Sequence, residues 1–273
     1  MHAVQTIQSP IAAYACVRVA FRRIGIDVFA VKTYLTVLPQ ITLLPNVSRF
    51  DLVLFYISRA FNRLAGDSIR LIRYYFVAQP VPVAPTATHR RVGRFSIRRA
   101  HAVDAVIGSA PRPGAVLQRR FRDGAMCFVA ECDGQLAGFI WLMERKYMED
   151  EVRCLYHLDA ESKAAWDFDV YVVPAFRATR LFARLWDAAN EWLLGQGYRW
   201  SLSRISGFNV ASLTAHQRLG AVTLGSGTFL TVGSMQIAFF SMQPYVHVSF
   251  RRKTFPQLTL SVGQGGLEKV AHA

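Results

Sequence analysis

Three groups of residues in this sequence have the types and spacing to do chemistry. Asp167 and Asp169 interrupt an apolar, β-branched run from Trp166 to Val173. In a strand they share one face, by the period of two. Burying two carboxylates is costly unless they are paired, and neighbouring arginines or backbone donors are the candidate partners. If both face one pocket, their repulsion lifts one pKa toward that of a useful base. The second group is the turn Arg177-Ala178-Thr179-Arg180-Leu181-Phe182. It lies between a strand end and a helix start, where unpaired backbone N–H groups bind anions, phosphate above all. The third is the acidic row Glu149, Asp150 and Glu151, in a polar excursion over 147–163.

Recognisable elements must hold these groups. Pro174 cannot donate to a ladder and ends the strand. From Arg180 the period becomes helical, with Leu181, Leu185, Ala188, Ala189, Trp192 and Leu193 on one face and a stop at Gly195 and Gly197. A strand is expected from Trp200 to Ile205. A second helix follows, capped by Asn209 and stopped at Gly220.

The run Val172-Val173-Pro174-Ala175-Phe176-Arg177, followed by Ala178 to Phe182, resembles the acyl-CoA-binding motif of the GNAT N-acetyltransferase superfamily, R-x-x-G-x-G/A after a V-x-P-x-x strand end. Arg180 and Phe182 stand at its two glycine positions. Asn209-Val-Ala-Ser212-Leu-Thr-Ala-His216-Gln-Arg-Leu219-Gly220 resembles the superfamily's later helix, N-x-x-[AS]-x-x-x-Y-x-x-L-G, with His216 at the tyrosine position. The resemblance covers roughly 94–243. It implies a mixed α/β fold with a mostly antiparallel central sheet flanked by helices. It also implies acetyl transfer from acetyl-CoA, as cosubstrate, to a primary amine by direct attack. The cofactor-binding residues would be Val172, Val173, Arg177, Ala178, Thr179, Arg180, Leu181, Phe182, Asn209 and Ser212. His216 would be the acid for the leaving thiolate, or else pack against the cofactor. Asp167 or Asp169 would be the base, since the family often places a carboxylate near the start of this strand. The acceptor expected is a small-molecule amine or amino sugar. Two readings compete: a non-catalytic acyl-CoA-binding or regulatory module, and a basic protein of a membrane surface.

The rest of the chain is read in order. The sequence has 273 residues, 52% of them hydrophobic, which is enough for a large core. Residues 1–79 read as a basic amphipathic region: a helix over 11–23, strands over 28–38, a helix opened by Ser48 and Asp51 and stopped at Gly66, and an apolar–basic segment over 69–77. Residues 80–93 read as a Pro-rich linker, and a boundary is expected there. Then come a strand at 94–98, helices at 101–107 and 114–121, and a hairpin across Asp133-Gly134. A late hairpin is expected around Gly225-Ser226-Gly227, an edge strand over 245–250, and a disordered tail from 263. The four cysteines show no metal-ligand spacing, so no metal is expected, and Cys127 and Cys132 read as reduced core thiols. The formal net charge of +14 attracts polyanions. A homodimer partner and an anionic membrane surface stay open for the N-terminal region, and no motif supports nucleic acid. The N-terminus lacks a signal-peptide layout and the apolar runs are short, which predicts a cytoplasmic protein, at most peripheral to a membrane.

Overall fold

A computed structural model describes residues 48–82, 94–177 and 179–262. The helix expected over 11–23, the strands over 28–38, most of the linker, Ala178 and the tail from 263 lie outside the described residues. The chain opens with α1 (Arg49–Ala65), then β1 (Ile69–Pro80), β2 (Phe95–Ala100), α2 (Ala105–Gly108) and α3 (Gly114–Arg122). β3 (Met126–Cys132), β4 (Gln135–Met143), β5 (Lys146–Met148), β6 (Leu155–Leu158) and β7 (Ala164–Val172) follow. The last part holds α4 (Leu181–Gly195), β8 (Trp200–Ser206), α5 (Val210–Arg218), β9 (Val222–Val232), β10 (Met235–Phe240), β11 (Val246–Ser249) and β12 (Gln257–Leu260).

Local signals explain most of these. Ser48 accepts the Asp51 N–H at 3.0 Å and caps α1, and Gly66 stops it at φ 53°. Asp133 and Gly134 both take positive φ, 52° and 75°, as a two-residue hairpin turn of matching twist requires. The nine-stranded sheet has the order β11-β10-β9-β1-β8-β7-β4-β3-β2. Every neighbouring pair in it is antiparallel except β7 and β8. A small sheet, β12-β6-β5, lies over it, with β12 parallel to β6.

One face of the large sheet packs Tyr74, Phe76, Phe139, Trp141, Trp166 and Leu202 against Tyr156, Leu258 and Leu260 of the small sheet. The other face packs Phe128, Ile140, Leu142 and Ala165 under Leu181, Leu185, Trp186 and Leu193 of α4. α1 covers Ile69, Leu71 and Leu230 on that second face. Among the described residues, no helix is long and apolar enough to cross a membrane.

Three expectations change. The apolar–basic segment over 69–77 is a strand, and it sits in the middle of the sheet. It pairs Tyr74–Pro80 with β8 and Ile69–Ala78 with β9. The expected boundary at 79/80 therefore falls inside β1. Pro80 is its last residue, where a missing N–H does least harm. The late hairpin does not turn at Gly225–Gly227: β9 runs on to Val232, and the chain turns at Gly233, φ 55°. Gly227 is needed for packing instead, since a Cβ there would lie 3.0 Å from the Phe240 ring. Finally, β12 gives the C-terminal part a strand that its sequence did not announce.

Deleting residues 1–79 strips the partner from both β8 and β9 and exposes two apolar strand edges. The truncated protein is expected to elute in the void volume on size-exclusion chromatography. A monodisperse, well-folded truncation would contradict this account of β1.

Candidate active site

The parallel pairing of β7 with β8 covers only Ala164–Trp166 against Trp200–Leu202. Beyond it, β7 continues to Val172 and β8 to Ser206 without facing partners. The cause lies on the other edge of β7. There Trp141 opposes Phe168 and Phe139 opposes Tyr171, so Ile140 faces both Asp169 and Val170. Asp169 takes φ 57°, in the left-handed region that Asp tolerates better than branched residues. Such a bulge bends its strand and adds twist, which turns the end of β7 away from β8.

The opening changes the backbone bookkeeping. Val173 donates its N–H to Ala137 O on the β4 side, at 2.9 Å, so that group is not available to a ligand. Val172, one residue back, faces the opposite way, into the opening. Its carbonyl accepts from Arg177 Nε at 3.3 Å, and its N–H points the same way. The turn begins as a 3-10 segment, Pro174–Phe176. Thr179 Oγ1 then accepts the Leu181 N–H at 3.2 Å, at the start of α4. Arg177, Thr179, Arg180 and Phe182 are all exposed, and Phe182 lies edge-on to Trp186 one turn along.

The second motif faces the first across the same side of the sheet. Asn209 Oδ1 accepts the Ser212 backbone N–H at 3.1 Å and starts α5, so the Asn209 side chain acts on the helix itself. His216 is buried in the last turn of α5, edge-on to Trp186 of α4. Its Nδ1 lies 3.0 Å from Gln79 Oε1. Burial pushes its pKa down, so it is a neutral imidazole at pH 7. Sequence reasoning missed Gln79, and no local pattern marks it, since it stands 137 residues from its partner.

The two carboxylates do not share a face, because the bulge resets the alternation between them. Asp167 lies under α4 and accepts from Ser201 Oγ at 2.7 Å. Burial raises its pKa to about 7, with Ser201 pulling the other way. Asp169 lies on the opposite face, held by Arg112 Nε at 2.8 Å and Arg120 Nη1 at 2.6 Å. Those guanidiniums stack on Phe139, Tyr171, Trp141 and Phe168. The acidic row is also paired. Glu149 is bound bidentately by Arg204 at 2.9 and 2.8 Å, Asp150 by Arg119 and Arg120, and Glu151 by Tyr74. Through these ion pairs the row links α3 to β8.

An opened parallel pair, a basic turn at a helix start and a second helix thus lie on one side of an α/β sheet. The model of the acetyltransferase (GNAT) family matches residues 96–221. That stretch is a GNAT acetyltransferase domain, and β1 and β9 to β12 extend it on both sides. No curated protein matches the sequence. Among solved structures, a functionally unknown conserved protein from Staphylococcus epidermidis ATCC 12228 overlays with TM-score 0.43 at 13% identity, over 63% of this chain and 66% of that one. A GNAT-family protein from Novosphingobium aromaticivorans DSM 12444 gives TM-score 0.41 at 15% identity, over 59% and 65%. In both, the match spans just under two thirds of the solved chain. Aminoglycoside N-acetyltransferase AAC(6')-Iy in complex with CoA gives TM-score 0.35 at 21% identity, over 48% of this chain and 90% of that one.

Asp167 carries a test of this geometry. Its folded-state pKa of about 7 lies above the ordinary 3.8, so between those values the folded protein holds a proton that the unfolded chain has lost. Its contribution therefore falls as pH rises through that window and is flat on either side. Thermal melts of Asp167→Asn should lack that fall while the unsubstituted protein shows it. Parallel pH profiles would mean that the carboxylate is not buried as described.

Proposed function

We propose that this protein transfers an acetyl group from acetyl-CoA to the primary amine of a small molecule, an amino sugar being one such acceptor. The observation that carries the reading is the split of β7 from β8 beyond Trp166 and Leu202, with the basic turn that follows Val172 at its open end. The family match supports the acetyltransferase class. In this reading Arg177, Arg180 and the first-turn amides of α4 hold the pyrophosphate by charge, in place of the close approach that glycines permit. The Val172 N–H donates to the thioester carbonyl oxygen and to the oxyanion it becomes. The amine nitrogen bonds to the carbonyl carbon, and the carbon–sulfur bond then breaks. A proton must leave nitrogen and one must reach sulfur. His216 is neutral at rest, so its role is to take the first and return it as the second. Asp167, on the same face, is the alternative base. Asp169 is assigned to holding α3 and the bulge, because both its oxygens already bind guanidiniums.

A non-catalytic acyl-CoA-binding module is the second reading, favoured by Arg180 and Phe182 at the glycine positions. Release of free CoA on adding candidate amines decides between the two, since that module releases none.

Two sets of variants test the roles. Arg177→Ala should weaken CoA binding in calorimetry more than Arg180→Gly does, and unchanged affinity in both would remove this turn from the site. His216→Phe should lower turnover by roughly 10²-fold or more while leaving CoA affinity nearly unchanged, and His216→Tyr should recover part of it. In the same assay, Asp167→Asn should reshape the pH–rate profile if Asp167 is the base. Asp169→Asn is expected to act mainly on stability.

A further inference from the structure

Gln79 lies outside the stretch that the family model matches. It is 4% exposed on β1, opposite Ser201 of β8 in register. Ser201 in turn holds Asp167 of β7. The strand register thus places Gln79, Ser201 and Asp167 on one sheet face, with His216 of α5 bonded to the first of them. Oε1 of an amide can only accept. The ring nitrogen 3.0 Å from it, Nδ1, bonds to that acceptor when it carries the imidazole proton.

We propose that Gln79 is a positioning residue for His216: it fixes the Nδ1–H tautomer, leaves the Nε2 lone pair to take the proton, and supports the imidazolium while that proton is held. The step balances within the chain. Nε2 gains a proton from the attacking amine and gives the same proton to the sulfur as the carbon–sulfur bond breaks, so His216 ends neutral. Without the amide, a buried imidazole is free to place its single proton on either nitrogen, and half of its function is lost whenever Nε2 carries it.

Trp186 and Gln79 both contact the His216 ring. Trp186 approaches edge-on from α4, with ring centroids 5.9 Å apart, and Gln79 approaches from β1. Asp167 lies on the same sheet face, behind Ser201. Burial holds the proton affinity of His216 down. A neutral amide suits that setting. It orients the ring without the charge that would keep the ring protonated at rest.

The inference deepens the acetyl-transfer reading and rests on it for the kinetic measurements alone. The tautomer is measured separately, by long-range 1H–15N correlation of the imidazole nitrogens in the full-length protein. At pH 7–8, His216 should show a protonated Nδ1 and an unprotonated Nε2. An Nε2–H tautomer there overturns the proposal, whatever the activity. Gln79→Leu should mix the tautomers and lower kcat by at least about tenfold, with KM for acetyl-CoA within about twofold. Gln79→Glu keeps an acceptor in place and adds a charge. It should restore the Nδ1–H tautomer and raise the His216 pKa, moving the acidic limb of the pH–rate profile to higher pH. If Gln79→Glu leaves the limb in place while circular dichroism shows the native fold, Gln79 is only filling space.

Discussion

A parallel ladder that ends after Trp166 and Leu202 is the constraint on which the rest depends. Backbone N–H and C=O groups removed from water must find partners. Where β7 leaves β8, the groups that faced β8 lose theirs. Arg177 satisfies the Val172 carbonyl from the turn just beyond the strand. The N–H of the same residue is then held at a fixed position beside the opening. Preorganised donors of this kind stabilise developing negative charge without reorganising when it forms. The split therefore costs ladder bonds and fixes a donor beside the opening by the same geometry.

The bulge keeps the split open, and ion pairs keep the bulge. Asp169 holds a left-handed backbone conformation that is seldom adopted without support from the surroundings. Arg112 and Arg120 bind its carboxylate and stack on the aromatic rings of β4 and β7, so backbone, charge and packing agree at one point. Arg120 ties α3 to the sheet, and Arg112 ties the segment just before it. Arg120 also binds Asp150, and Arg204 binds Glu149, so the acidic row joins the two halves of the split sheet from below. With 32 Lys and Arg against 18 Asp and Glu, acids are the scarce partner here, and those placed at the split are all committed.

β1 is the other structural dependency. It fills the gap between β8 and β9 and brings Gln79 under α5. A domain drawn only around the recognisable motifs would end at β2 and leave His216 without its hydrogen-bond partner. The segment before the motifs is therefore part of the cleft's architecture, with one face of β1 in the core and Tyr75, Val77 and Gln79 turned toward the helices.

What the sequence determined by itself was what depends on neighbours along the chain. The Ser48 and Asn209 caps, the Asp133-Gly134 turn, the strand end at Pro174 and the helical face from Leu181 are set within a few residues, and their periods and turn chemistry are readable in one dimension. The two motifs were legible for the same reason, and so was the fold class. Tertiary structure alone decided which face each carboxylate occupies. Asp167 and Asp169 are two apart in any strand pattern, but Asp169 is itself one of the two residues bulged opposite Ile140, and its left-handed backbone reverses it. It alone decided that residues 69–80 are a central strand, because an apolar–basic segment reads alike whether it lies on a surface or between two strands. It alone joined Gln79 to His216. Register across a sheet is a relation between distant strands, set by the packing of whole faces, and no local preference encodes it.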